Sequence, residues 1–161
     1  MNVWYSLSDI PGNEASVVTI GNFDGMHNGH KKVISTCIER AHKLGVDAVA
    51  ITFDPHPIQV HKPEVGLQLI SPLRDRLDAM AAAGLDATLV AHYDASVYSL
   101  EADEFVYEYL VERCGAREVV VGEDFRFGRG NAGTIDTLRE LGSRYGFNVI
   151  TVTDIEAPEG R

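Results

Sequence analysis

The sequence is short of cysteine, of clustered basic charge and of long apolar runs, and each shortage narrows what the protein can be. Its 161 residues include two cysteines, Cys37 and Cys114, far apart and each set among apolar positions at helical spacing. Buried structural thiols read this way, so nothing points to a disulfide scaffold and a reducing compartment is expected. Lysine and arginine total 14 against 24 acidic residues, a net charge of −10, and no run of Lys or Arg forms a basic strip. Non-specific binding to nucleic acid or to an acidic membrane surface is therefore not expected. No segment approaches the length of a membrane span, and "MNVWYSLSDIPG" at the N-terminus lacks the basic stretch and apolar core of a leader. A cytoplasmic protein without a membrane partner is the expectation. Internal repeats, low-complexity tracts and an interdomain linker are also missing, which at this length points to one domain over residues 1–161.

What is present is a regular alternation. "SVVTI" (16–20), "DAVAITF" (47–53), "ATLVAHY" (87–93), "REVVVG" (117–122) and "FNVITV" (147–152) are short, β-branched and almost continuously apolar. Such runs suit strands buried on both faces. Helical spacing fills the gaps. Val33, Ile34, Cys37, Ile38, Ala41 and Leu44 predict a helix from about Lys32, closed by Gly45. Ser71 as a cap with Pro72 at the first helical position opens a second helix through Leu73, Leu77, Met80 and Ala81 to Gly84. A third carries Phe105, Val106, Tyr109 and Leu110, with Glu101, Asp103 and Glu104 in its first turn, and a fourth carries Ile135, Leu138, Leu141 and Tyr145 before Gly146. The order predicts an α/β fold of Rossmann-like type, a parallel sheet of about five strands with helices on both faces and right-handed crossovers.

In such a sheet ligands bind beyond the carboxyl ends of the strands, near the point where strand order reverses. Three loops fall there and are chemically unusual, whereas "DASVYSLEAD" after the third strand is the uninformative one. "GNFDGMHNGH" (21–30) places His27 and His30 three residues apart around Gly29, where a strand hands over to a helix. Imidazole donors and free backbone N–H groups at a helix N-terminus can hold phosphate oxygens and charge that develops on them. Gly25 and Gly29 let the backbone approach without a Cβ in the way. A bare H-x-x-H is more often a helix entry, and His27, His30, His56 and His61 are together conceivable as metal ligands; the position after the first buried strand favours the phosphate reading. "TFDPHP" (52–57) stiffens Asp54 and His56 between Pro55 and Pro57, at small ordering cost to a ligand. "VVGEDFRFGRGNAG" (120–133) interleaves Phe125 and Phe127 with Asp124, Arg126 and Arg129, so aromatic faces could flank a planar ring and the arginines could meet phosphate. No G-K-[ST] follows, so it is not a Walker A loop. The helix that begins after it offers a second anion-binding end.

Taken together, "TIGNFDGMHNGH", "TFDPHP" and "VVGEDFRFGRGNAGT" resemble, in order and spacing, the signatures of the FMN adenylyltransferase module of the bacterial bifunctional riboflavin kinase/FMN adenylyltransferases, over nearly the whole chain. Other H-x-G-H nucleotidyltransferases share the first motif but not the second and third. The resemblance implies a nucleotidyltransferase fold and transfer of AMP from ATP to the phosphate of FMN, giving FAD and pyrophosphate with Mg²⁺. It assigns Gly21, Phe23, Asp24, His27, Gly29 and His30 to the ATP phosphate site, with His27 and His30 catalytic. It assigns Asp54, Pro55, His56, Pro57, Asp124, Phe125 and Phe127 to the flavin side or the wall between the ligands, and names no metal ligand. In the family the chain continues past this region into an S-S-T-x-I-R segment and a riboflavin kinase domain. Neither follows "APEGR", so riboflavin kinase activity is not expected of this chain, and the kinase domain is its expected partner. Two alternatives stay open: an adenylyltransferase for another phosphorylated cofactor, and a flavin- or nucleotide-binding module without chemistry.

Overall fold

Residue alternation along the strands builds two core layers, one on each face of a single sheet. The computed structural model describes residues 1–12, 14–23, 28–64 and 72–153. Six strands, β1 (Asn2–Trp4), β2 (Ser16–Ile20), β3 (Asp47–Asp54), β4 (Ala87–His92), β5 (Ala116–Gly122) and β6 (Asn148–Val152), lie in the order β1-β4-β3-β2-β5-β6, every pair parallel. Val17, Ala48, Ala50 and Val120 point to one layer, where they meet Ile34, Cys37, Ala41 and Met80. Val18, Ile20, Val49, Ile51, Val119 and Val121 point to the other, against Val106, Leu110, Leu138 and Leu141. The expected α/β sheet is therefore present, with one strand more than the five expected. The extra strand is β1, whose three residues pair with Ala87, Thr88 and Leu89 at the sheet edge, too short to carry a periodic signal.

α1 (Asn28–Leu44) and α3 (Leu73–Ala83) cover one face. α1 begins four residues before the expected Lys32, which puts Gly29 and His30 in its first turn, and it closes before Gly45 at φ 71°. α3 begins at Leu73 with Pro72 as its N-cap, one residue later than the expected first helical position, and the expected cap Ser71 lies outside the described residues. Pro72 at ψ 148° is extended, so the helix starts only at the next residue.

The other face carries α5 (Ala102–Phe105), running directly into a π-helix over Val106–Arg113, and α6 (Ile135–Tyr145). The third expected helix thus exists, with Glu101 capping it, but its second half is wound i→i+5. Two short helices in the loops, α2 (Pro57–His61) and α4 (Ala95–Tyr98), were not expected. Both cysteines are free and buried, and burial pushes each thiol up to about 12, so both stay protonated and inert. Among the described residues no helix is long and apolar enough to cross a membrane.

Candidate active site

The strand order fixes where a ligand can sit. From β2 the chain steps outward to β3 and β4, then returns to the other side of β2 for β5 and β6, so the order reverses between β2 and β5. Two cavities open there, beyond the carboxyl ends of the strands. The larger, about 620 Å³, lies within the range ordinary for small-molecule sites.

Its walls are aromatic. On one side Phe125 and Phe127 stack with centroids 5.5 Å apart at 12°, and Phe105 backs Phe127 at 6.3 Å. On the other, Phe53 meets Tyr93 edge-on at 5.7 Å, and His61 meets Tyr93 and Tyr98 at 5.5 and 4.9 Å. A hydrogen bond of 2.8 Å between His61 Nε2 and Tyr93 Oη ties α2 to the segment before α4. Burial, helped by the nearby Tyr98, raises the Tyr93 phenol above its ordinary range, so it stays neutral. Two aromatic walls of this kind suit a planar ring system.

The second cavity, about 290 Å³, sits between β2, β5, β6 and the start of α1. His30 and Val33 of α1 line it, with Gly21, Phe23, Glu123 and Asp124. Because His30 lies in the first turn of a long helix, backbone N–H groups without intrahelical partners are close at hand, a favourable place for phosphate. Phe23 is 2% exposed and held at φ 53°, and its ring meets His30 edge-on at 5.7 Å. A bulky residue in the left-handed region is strained, and such strain gathers at functional sites. Gly21 leaves room for the same ring: a Cβ there would lie 3.1 Å from it, so the ring would have to shift by a few tenths of an ångström. Ile20, Gly21 and Phe125 line both cavities, and Phe125 is the aromatic ring they share.

The structure thus sorts the expected residues. Phe23 and His30 gather at the second cavity and Gly21 lines both; His27 and Asp24 lie outside the described residues, and Gly29 is placed only by its backbone in α1. Phe125, Phe127 and Pro57 line the large cavity. Asp124, exposed, lines the second cavity instead, beside His30. His56 serves the backbone: its Nδ1 accepts from the Ile58 N–H at 3.1 Å while its own N–H donates to Gln59, the capping box of α2. Pro55 follows a cis peptide after Asp54, and Asp54 Oδ1 is 3.7 Å from Arg76. Arg129 reaches Glu101 at 3.5 Å and Arg126 donates to the Asn131 carbonyl. The start of α6 is capped by Thr134 and is approached by Glu123, Asp124 and Asp136 with a single arginine, Arg126, so it does not suit an anion. Among the described residues no group of three or more His, Cys, Asp or Glu converges as a metal site.

Several lining residues carried no signal in the sequence. Val97 and Tyr98 come from the loop read as less informative, and Tyr93 from the end of the third expected strand, and only the aromatic content there could have pointed to them. Phe105 follows a helical period and reads as core, while Asn22 sits inside the first motif but has neither ring nor charge.

Comparison with known proteins bears on this geometry. The family model described as FAD synthetase matches residues 9–161. The chain belongs to the FAD synthetase family. It is 41% identical over 130 residues to a protein of Geobacillus thermodenitrificans named as a putative bifunctional riboflavin kinase/FMN adenylyltransferase, covering 81% of this chain and 68% of that one. The bifunctional riboflavin kinase/FMN adenylyltransferases of Buchnera aphidicola and Escherichia coli K12 are 34% and 32% identical, covering 87% and 90% of this chain. The chain spans about half the length of those two relatives, 45% and 46%. A crystal structure from Streptococcus pneumoniae, described as a macrolide-efflux protein, superposes with a TM-score of 0.81 at 26% identity, over 99% of this chain and 53% of that one. Pantothenate synthetase from Thermus thermophilus shares the fold, with a TM-score of 0.58 at 14% identity over 95% of this chain and 62% of that one.

Proposed function

We propose that the chain transfers AMP from ATP to the phosphate of FMN, releasing pyrophosphate and giving FAD. The observation that carries the reading is the pair of cavities that share the Phe125 ring, one aromatic and about 620 Å³, the other at the N-terminus of α1 beside His30. An enzyme that joins a flavin mononucleotide to a nucleotide needs a slot for a planar ring and a phosphate site next to it.

On this reading the isoalloxazine lies between Phe125 and Phe127 on one side and Tyr93 and Tyr98 on the other, and the ATP phosphates lie at the start of α1. A phosphate oxygen of FMN attacks the α-phosphorus directly, the bond to the β-phosphate oxygen breaks, and pyrophosphate leaves with that oxygen. No covalent enzyme intermediate is required, so catalysis rests on positioning and on donors aimed at the developing charge. His30 and the backbone N–H groups of the first turn of α1 supply those donors, with His27 as a second imidazole by its place in the motif. Asp54, Pro55 and His56 shape the flavin side through α2 rather than by touching the ring.

Mg²⁺ takes one or two carboxylates plus substrate phosphates, and Glu123 and Asp124 line the phosphate-side cavity, so the donor set fits the ion. Bound with ATP, it would neutralise phosphate charge. We place the reaction in the cytoplasm, and in the longer relatives we assign this region to adenylyl transfer and the kinase step to a C-terminal domain. A panel of acceptors tests the reading: FMN should be adenylylated in strong preference to pantetheine phosphate and nicotinamide mononucleotide, and equal or better turnover of either rival would overturn it.

A further inference from the structure

Arg76 lies on α3, outside every sequence motif, yet it is 2% exposed and its head is turned to the carboxyl edge of the sheet. Nη1 donates to the main-chain oxygen of Asn22 at 3.0 Å, to Thr52 Oγ1 at 3.2 Å and to the carbonyl of Phe53 at 3.3 Å. Nη2 is 3.7 Å from Asp54 Oδ1, a carboxylate with 46% of its side chain exposed. Thr52 Oγ1 in turn donates to the same Asn22 oxygen at 3.1 Å. Arg40 shows what an arginine does when it serves a paired charge: it grips the buried Glu118 with two bonds of 2.8 Å. Arg76 directs its Nη1 at main-chain oxygens just past β2 and at the end of β3.

Those two strand ends both feed the site. Asn22 lines the aromatic cavity and precedes Phe23, whose ring packs on His30, so this loop borders both cavities. Phe53 and Asp54 lead into α2, whose Pro57 and His61 line the aromatic cavity. Arg76 lines neither cavity. We propose that Arg76 is a positioning residue for adenylyl transfer: it locks the two loops in register, so that the ring slot both loops line stays aligned with the phosphate side that the first loop also borders. The inference rests on the proposed reaction. Ring binding is spread over several aromatic contacts, whereas in-line transfer depends on the register of the loops, and a misplacement of about 1 Å can cost about a hundredfold in rate.

The test is Arg76→Lys, in which a point charge replaces the planar fork, checked for folding by circular dichroism. The expected result is a fall in kcat for FAD formation of at least about tenfold, with KM for FMN and for ATP within about threefold of wild type. Faster amide hydrogen exchange at residues 21–23, 53, 54 and 56, measured without ligands, should accompany it. Thr52→Val, which removes the second donor to Asn22 and one acceptor of Arg76 while leaving the other Arg76 bonds, is the milder variant should Arg76→Lys not fold, with a smaller fall in kcat at unchanged KM. Unchanged kcat, or activity lost only in proportion to folded protein, overturns the role of Arg76 while FAD formation by the wild type leaves the reaction standing. A folded wild type that makes no FAD overturns the reaction itself, and exchange as slow in Arg76→Lys as in wild type then overturns the loop register as well.

Discussion

Single side chains separate what holds the molecule together from what does its chemistry. Thr19 sits at the centre of the sheet, fully buried, and its hydroxyl has no hydrogen-bond partner among the described residues. An unmet buried hydroxyl costs about 1 kcal/mol or more, so Thr19→Val, which keeps the shape, should raise stability by roughly that amount in denaturant unfolding. His30 is the opposite case. Half-buried in the first turn of α1, it packs on Phe23 and lines the phosphate-side cavity. His30→Ala should leave the circular dichroism spectrum intact and lower FAD formation by roughly two to three orders of magnitude, the loss expected on removing one oxyanion-type donor. His30 was legible from its spacing and its place after a buried strand. Arg76 was not, because a charged residue within a helical period reads as solvent-facing, and only tertiary structure shows the strand ends it meets.

Among the elements, the strands and the long helices followed from periodicity, while the short and irregular pieces did not. A strand buried on both faces leaves an unbroken apolar run in the sequence, which is why β2 to β6 stood out. The four-residue α4 has no room for a period, so Tyr93 and Tyr98 around it could not be assigned to a wall. The π-helix after α5 defeats the sequence differently, since its apolar positions satisfy the 3.6-residue spacing while the chain winds more widely. The loop after β5 depends on one glycine. Gly133 and Phe127 exchange backbone hydrogen bonds of 3.1 and 2.8 Å, and a Cβ on Gly133 would lie 2.8 Å from the Phe127 ring. Gly133→Ala must therefore displace Phe127, and flavin titration should show affinity falling several-fold, with a stability loss of about 1 to 3 kcal/mol. Between α1 and β5, the two-bond contact of Arg40 with Glu118 holds the Glu118 carboxyl below its ordinary range, chiefly through the hydrogen bond. A lowered folded-state pKa gives stability that is complete above the ordinary glutamate value of about 4.3 and disappears as pH falls through the folded value. Glu118→Gln should thus lower Tm at pH 7, and the gap to wild type should close as the solution is acidified below that range. A gap independent of pH would show that shape, not charge, holds the contact.

For the molecule as a whole, one topological fact places the site: the sheet grows outward from β2 in both directions, so the loops after β2, β3 and β5 converge. Two cavities with one shared aromatic wall follow from that convergence, and Arg76 sets the register of the first two loops. The three chemically unusual loops were visible in the sequence because glycine, proline and histidine are costly where they do nothing. Their division into a ring site and a phosphate site needed the structure, since Asp124 and Phe127, three residues apart, line different cavities. The central claim is that these cavities hold FMN and ATP and that the chain joins them. Chromatographic detection of FAD after incubating the folded protein with FMN, ATP and Mg²⁺ tests it most directly. The account predicts FAD and pyrophosphate in equal amounts, and a folded protein that binds both substrates yet forms no FAD would contradict it.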